Sequence, residues 1–353
     1  MIDLKDYGYK QTTQVPEGLL PGRVTEHQRD HYKVVSPMGD VTARLKGAFI
    51  HTAQDSDDFP CVGDFVLIQY NPIGDSLITN LLPRESKFSR ADYSGHKAGY
   101  AKTIREQLVA ANFDYVFILS SLNADFNVKR IARYVTQAQN SGGWPVVILT
   151  KADLADDTTA HRIQVERAAP GVMVHSISSH TGQGMEELAD YLQPGKTIVF
   201  LGMSGVGKSS LLNALMHDDV MAVSDIREDD SRGRHTTTHR QLFMLPSGAM
   251  VIDTPGMREL GLFGAEEGIS QGFQDVEALF ADCRFNDCQH ETEPGCAVRA
   301  AIKDGSLPLD RWTRYQQQLR ENQFVEDKAA YMRNKEDGMK SIALYTRSRG
   351  MKK

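Results

Sequence analysis

Gly202-Met203-Ser204-Gly205-Val206-Gly207-Lys208-Ser209 decides how this chain folds, because it fits G-x-x-x-x-G-K-[ST] and stands between the apolar run TIVFL and the amphipathic run SSLLNALM. A strand before and a helix after form the setting in which such a loop wraps phosphate. Its glycines let successive backbone N–H groups turn inward around an anion, the Lys208 ammonium neutralises β and γ oxygens, and the Ser209 hydroxyl supplies a ligand to Mg²⁺. Gly202 through Ser210 are therefore candidate nucleotide-binding residues, and Lys208 is a catalytic candidate as well. Upstream, the runs YVFILSS, PVVILTK and VMVHSIS alternate with helix-like NVKRIARYVTQAQNSG and MEELADYL. Continuous apolar strands interleaved with helices predict a mostly parallel sheet covered on both faces. Two further strands, QLFMLP and AMVIDT, complete an α/β domain near Gly264.

The other nucleotide signals fall at strand ends. Asp253-Thr254-Pro255-Gly256 closes AMVI about 45 residues beyond Lys208. There the Asp253 carboxylate can hold Mg²⁺ through water and the Gly256 N–H can meet a γ-phosphate. Thr236, Thr237 and Thr238 lie between the two motifs in the polar segment DIREDDSRGRHTTTHR. A threonine hydroxyl there, with Thr237 the catalytic candidate, would complete the metal shell and make the segment a γ-phosphate switch. Thr150-Lys151-Ala152-Asp153 closes VVIL, where Asp153 can accept from both guanine N1–H and N2–H₂, a pair adenine does not present. The Lys151 stem would lie along the base. Ser176 to Ser179, with Ser178 as its candidate, follows VMVH and would back the guanine O6. Together these choose GTP over ATP, with Mg²⁺.

Flanking this domain are two segments of different character. From about Leu20 to Arg84, short alternating stretches are punctuated by Ser36-Pro37-Met38-Gly39-Asp40 and Asn71-Pro72-Ile73-Gly74-Asp75. About five strands in that length predict a small closed barrel, with the OB type first choice, over a domain of residues 1–85. A polar connector, SKFSRADYSGHKAGYAKT, follows without periodicity, either a flexible joint or a loop with contacts of its own. It opens the α/β domain, taken as 86–265, and a mainly helical module occupies 266–353. Within that module Cys283, Cys288, His290 and Cys296 supply three thiolates and an imidazole, a complete tetrahedral structural Zn²⁺ site with no open position for catalysis. The alternative is three reduced cysteines, or a stress-formed disulfide, beside an incidental histidine.

Composition bounds the rest. At 353 residues the chain asks for two or three domains, and 41% hydrophobic residues supply their cores. No apolar run approaches the roughly 20 residues of a bilayer span, and MIDLKDYGYK lacks the pattern of a secretory leader. A cytoplasmic protein, monomeric by default, is expected. The net charge of -6 conceals a gradient: residues 297–353 carry 13 Lys and Arg against 7 Asp and Glu. KSIALYTRSRGMKK at the end is a solvated arm or a phosphate contact.

The order of the motifs is the most telling feature. In GTPases the base-recognition loops normally follow the P-loop, but here Thr150–Asp153 and Ser176–Ser179 precede it, as in a circular permutation. A barrel, a permuted GTPase domain and a Cys/His cluster together resemble the ribosome-assembly GTPase family called RsgA or YjeQ over about residues 20 to 335, and GRHTTTHR, Gly233 to Arg240, is the most family-specific string. The resemblance implies a GTP hydrolase acting late in assembly of the small ribosomal subunit and stimulated by it. It also implies rRNA contacts through the flanking modules and zinc on Cys283, Cys288, His290 and Cys296. Thr150 replaces the usual Asn, and Met257 stands where a Ras-like enzyme has its water-orienting Gln. A methionine cannot orient water, so His235 beside the switch threonines is the candidate for that role, with a solvated loop residue as the alternative. Against this enzyme stand two other readings: an RNA-binding assembly scaffold that binds nucleotide but scarcely turns it over, and a P-loop ATPase or small-molecule kinase. Lys208, Ser209, Asp253 and the threonines disfavour the first; the guanine motifs disfavour the second.

Overall fold

The computed structural model describes residues 1–10, 14–28, 30–53, 56–92, 105–123, 126–218, 220, 240–253 and 265–324. The chain divides into two compact units, Met1–Ser89 with Leu108–Leu260, and Arg90–Gln107 with Gly261–Lys353.

The first unit begins with five strands: β1 (Leu20–Gln28), β2 (His31–Ser36), β3 (Gly39–Leu45), β4 (Phe65–Gln69) and β5 (Ser76–Leu81), with a short helix α1 (Gly47–Thr52) after β3. They are ordered β1-β2-β3-β5-β4, and β4 returns to pair with β1, so the barrel closes and leaves no edge. Closure makes an interior, filled by Val24, Val34, Ala43, Val66, Ile68 and Ile78. The connector after the barrel is partly a strand: β6 (Lys87–Asp92) pairs with β7 (Arg105–Ala111) in a two-stranded ladder. Only Phe88 of β6 is a large apolar residue, and it enters the main core with Val109 and Ala110 of β7; one such residue among polar neighbours is too little alternation to mark a strand in sequence.

Next come β8 (Tyr115–Ser121), α2 (Val128–Asn140), β9 (Trp144–Thr150), α3 (Thr159–Ala168), β10 (Met173–Ser176), β11 (Thr197–Leu201), α4 (Lys208–Met216), β12 (Gln241–Met244) and β13 (Met250–Asp253). Their order is β10-β9-β8-β11-β13-β12, parallel from β10 to β13, with β12 antiparallel at the side where Glu26 of β1 meets Gln241. The two faces bury alternate residues of the same strands. Val116, Ile118, Val147, Leu149, Val199 and Leu201 enter one core, while Phe117, Leu119, Val146, Ile148, Ile198 and Phe200 enter the other. That is why these runs read as continuously apolar. The stretch MEELADYL, expected as an α-helix, is a 3₁₀ turn over Met185–Tyr191. Strand order reverses between β8 and β11, and a ligand crevice belongs above the carboxyl ends at such a switch point.

Barrel and sheet are joined by a buried arginine. Arg23 of β1 donates to the Tyr7, Gly63 and Asn112 carbonyls and to the Thr197 hydroxyl, and its guanidinium lies 4.9 Å from the Phe65 ring centroid. Burial pulls its pKa down to about 10, against the more distant carboxylates of Asp114, Asp64 and Glu85. Beside it, Asp64 and Arg84 form a buried ion pair at 2.7 Å.

In the second unit, α5 (Glu266–Gly272), α6 (Gln274–Glu277), α7 (Ala297–Asp304) and a helical run over 309–324 surround Ile269, Phe273, Val276, Val298, Leu307, Trp312 and Tyr315. Arg311 is buried, grips Asp275 at 2.6 and 3.0 Å, and lies over the Phe273 ring. No helix among the described residues is long and apolar enough to cross a membrane. The basic residues beyond 324 lie outside the described residues.

Candidate active site

The phosphate loop occupies the switch point. Strand β11 is buried throughout and delivers the loop between β8 and β13. Gly207 takes φ +97° immediately before α4, a backbone conformation costly to any residue with a Cβ. Lys208 is buried at the first turn of α4, and its ammonium donates to the carbonyls of Gly202 (2.8 Å) and Met203 (2.7 Å). Burial depresses its pKa to about 8, with the Asp253 charge opposing. Asp253 closes β13 and is buried, one step beyond the Ile252–Val199 pairing that aligns it with the loop strand. Ser204 and Gly205 are exposed at the tip, and Ser209 and Ser210 are half-buried.

The base loops lie alongside. Ala152 N–H donates to the Ile177 carbonyl at 3.0 Å, tying Thr150–Asp153 to Ser176–Ser179. Lys151 has φ +60°, uncommon for a long side chain, and beyond it Asp153 is exposed. Thr150 is buried, and its hydroxyl donates to the Val206 carbonyl at 2.6 Å. Ser178 is buried too, its hydroxyl accepting from Thr181 N–H at 3.2 Å, so that side chain stabilises its own loop.

A cleft of about 720 Å³ runs between these loops, lined by Thr150, Lys151, Asp153, Leu154, Ser178, Ser179 and His180 on one side and by Gly207, Ser210, Asn213, Ala214, His217 and Asp218 on the other. Its volume suits a nucleoside. Motif reasoning missed Leu154, His180, Asn213, His217 and Asp218. Projecting α4 would have found part of this wall, since positions 210, 213, 214 and 217 share one helical face. Two other histidines of this domain pack: His175 is held by Glu187 at 2.7 Å and Tyr191 at 2.9 Å, and His161 sits edge-on to Phe126. His235, Thr236, Thr237, Thr238 and Gly256 lie outside the described residues.

In the second unit the ligating atoms of Cys283, Cys288, His290 and Cys296 all lie within 4.8 Å of one another. The His290 Nδ1 is 3.5 Å from both Cys283 Sγ and Cys296 Sγ. A tetrahedral zinc with ordinary Zn–S and Zn–N bonds sets that edge at about 3.6 Å, so the residues fit the ion. His290 is fixed by stacking on Phe280 at 4.4 Å and by the edge of Trp312, and Cys283 Sγ accepts from Ala297 N–H at the start of α7.

Residues 81–263 match the RsgA GTPase family. The chain belongs to that family. It is 44% identical over 323 residues to the small ribosomal subunit biogenesis GTPase RsgA 1 of Listeria innocua, covering 91% of this chain and 89% of that protein. It is 46% identical over 313 residues to RsgA of Streptomyces avermitilis, covering 88% and 81%. Among solved structures, YjeQ from Thermotoga maritima superposes with a TM-score of 0.62 at 25% identity, covering 86% of this chain and 98% of that one. YloQ, described as a circularly permuted GTPase, gives 0.60 at 24% identity, covering 89% and 99%. As an RsgA-family GTPase the chain is a GTP hydrolase, and its base loops precede its phosphate loop in sequence while meeting it in space.

Proposed function

We propose that this GTPase acts in late assembly of the small ribosomal subunit, which stimulates its turnover, and that it leaves on hydrolysis. The observation that carries this reading is similarity over nine-tenths of the chain to a protein named for that process, combined with a cleft that joins the phosphate and base loops. The barrel, whose strand order suits the OB type, and the Cys₃His module would contact rRNA on either side of the switch. Zinc is the metal we assign to the cluster, as a structural ion. The protein works in the cytoplasm as a monomer.

At the nucleotide site, Lys208 exchanges its two carbonyl partners for β- and γ-phosphate oxygens, the carbonyls of Gly202 and Met203 holding the ammonium within the phosphate loop. Asp153 reads N1–H and N2–H₂ of the base. Ser209, Thr237 and, through water, Asp253 would hold Mg²⁺, which when bound would offset negative charge on the phosphates. The Gly256 N–H and the Thr236 and Thr238 segment respond to the γ-phosphate, and His235 orients the attacking water. Loss of those γ-phosphate contacts on hydrolysis releases the switch.

The test is steady-state GTP hydrolysis with and without purified small subunits, with large subunits and ATP as controls. Selective stimulation of GTP turnover by the small subunit is expected. GTP binding with no response to any ribosomal particle would favour an RNA-bound scaffold instead.

A further inference from the structure

The hydroxyl of Thr150 has one proton, and two protein carbonyls compete for it: Val206 at 2.6 Å and Ser120 at 3.4 Å. The first belongs to the phosphate loop, the second to the end of β8. Thr150 also packs against that loop, its Oγ1 being 3.7 Å from where a Cβ on Gly207 would stand, and it lies buried in the wall of the cleft. The purine N7 is purely a hydrogen-bond acceptor. An asparagine in this position offers an amide with two N–H donors, enough to serve both a loop carbonyl and N7, whereas a threonine offers one. With that proton on Val206, Thr150 has only lone pairs to turn toward the base, and those repel N7.

We propose that Thr150 is a positioning residue that fastens the base loop to the phosphate loop and leaves N7 of the bound guanine unread. This rests on the cleft being the guanine-nucleotide site. Base selection then falls on Asp153, the exposed carboxylate on the same wall. The site should accept guanine analogues altered at N7 while rejecting those altered at N1 or N2. The methyl of Thr150 serves the same end, filling the space next to Gly207 with an apolar group.

The experiment compares the affinities of the full chain for GTP, 7-deaza-GTP and ATP by competition with a fluorescent guanine nucleotide. The wild-type protein should bind GTP and 7-deaza-GTP within about twofold of each other. Thr150→Asn should restore a donor and open a preference for GTP of about fivefold, as expected for one neutral hydrogen bond. Thr150→Val should weaken both nucleotides together, leaving their ratio unchanged, because it removes the tie to Val206 and nothing that touches the base. A wild-type loss of more than about fivefold with 7-deaza-GTP would overturn the proposal, since some other donor would then be reading N7. This comparison needs no variant and stands even if Thr150→Asn fails to fold. Failure of the underlying site reading looks different: GTP would not bind, or ATP would compete equally well.

Discussion

Arg23 and Thr197 are 174 residues apart in sequence, yet the guanidinium of one donates to the hydroxyl of the other at 3.0 Å in the buried seam between barrel and sheet. All the described hydrogen bonds of Arg23 go to neutral acceptors, carbonyls above all. Replacing it strands several buried oxygens and opens a cavity. Arg23→Ala should cost at least about 3 kcal/mol in urea unfolding. A change below about 1 kcal/mol would mean that water takes over the seam.

The same seam requires a residue without a side chain. Gly63 has φ +94°, and a Cβ on it would stand 2.1 Å from the carbonyl oxygen of Ala111. Backbone cannot retreat as a flexible side chain can. Gly63→Ala should therefore destabilise by about 3 kcal/mol or more, while Gly18→Ala, which faces open space at a similarly positive φ, reports the cost of backbone conformation alone. Equal losses at both positions would show that the approach to Ala111 is unimportant.

Lys208 predicts how nucleotide binding depends on pH. Its folded pKa of about 8 lies below the ordinary lysine value of 10.5, so between those limits the unfolded chain binds more protons and the empty folded protein gains stability from this group as pH rises. Phosphate binding needs the charged form. Above pH 8 GTP should therefore bind with proton uptake and with affinity falling toward tenfold per pH unit, seen by calorimetry in buffers of different ionisation enthalpy. Lys208→Ala should abolish binding; unchanged affinity would remove the phosphate-loop assignment.

The Cys₃His cluster should retain about one zinc per chain by elemental analysis, and Cys288→Ser should lose it. Trp312 lies 5.6 Å from the His290 ring, close enough for its emission to report on the cluster. Chelation should shift that emission, with iodide quenching the exposed Trp144 to isolate it. A folded module without metal would sink the assignment.

His235→Ala should leave GTP affinity within about twofold but lower subunit-stimulated kcat by 10²-fold or more, a typical order for a lost general base or water-orienting group. An unaltered rate would return His235 to the loop residues.

The sheet and the phosphate loop were legible because both carry local signatures. Strands such as Tyr115–Ser121 are apolar on both faces, and Gly207 and Lys208 are needed wherever a loop must turn around phosphate. The Cys/His spacing was legible for the same reason, since few other patterns bring three thiolates and an imidazole together. Strand β6 was not, because its residues are mostly polar and its pairing partner begins 18 residues after its own start. His180 and His217 were not either. Nothing in a histidine's immediate neighbours says that the loop after β10 and the C-terminal end of α4 will place them on one cleft.

From the sequence alone came the chemistry: which residues can meet a phosphate, a guanine edge or a metal, and in what rotated order they occur. These follow from residue type and short spacing, which act over one turn or one loop. Tertiary structure decided which of those groups remain available. It committed the Thr150 proton to Val206, folded the Ser178 hydroxyl into its own loop, and buried Arg23 at the joint between barrel and sheet. The reason is physical: a hydrogen-bond donor has a fixed number of protons, and only packing of distant segments determines which acceptor is nearest when water is excluded.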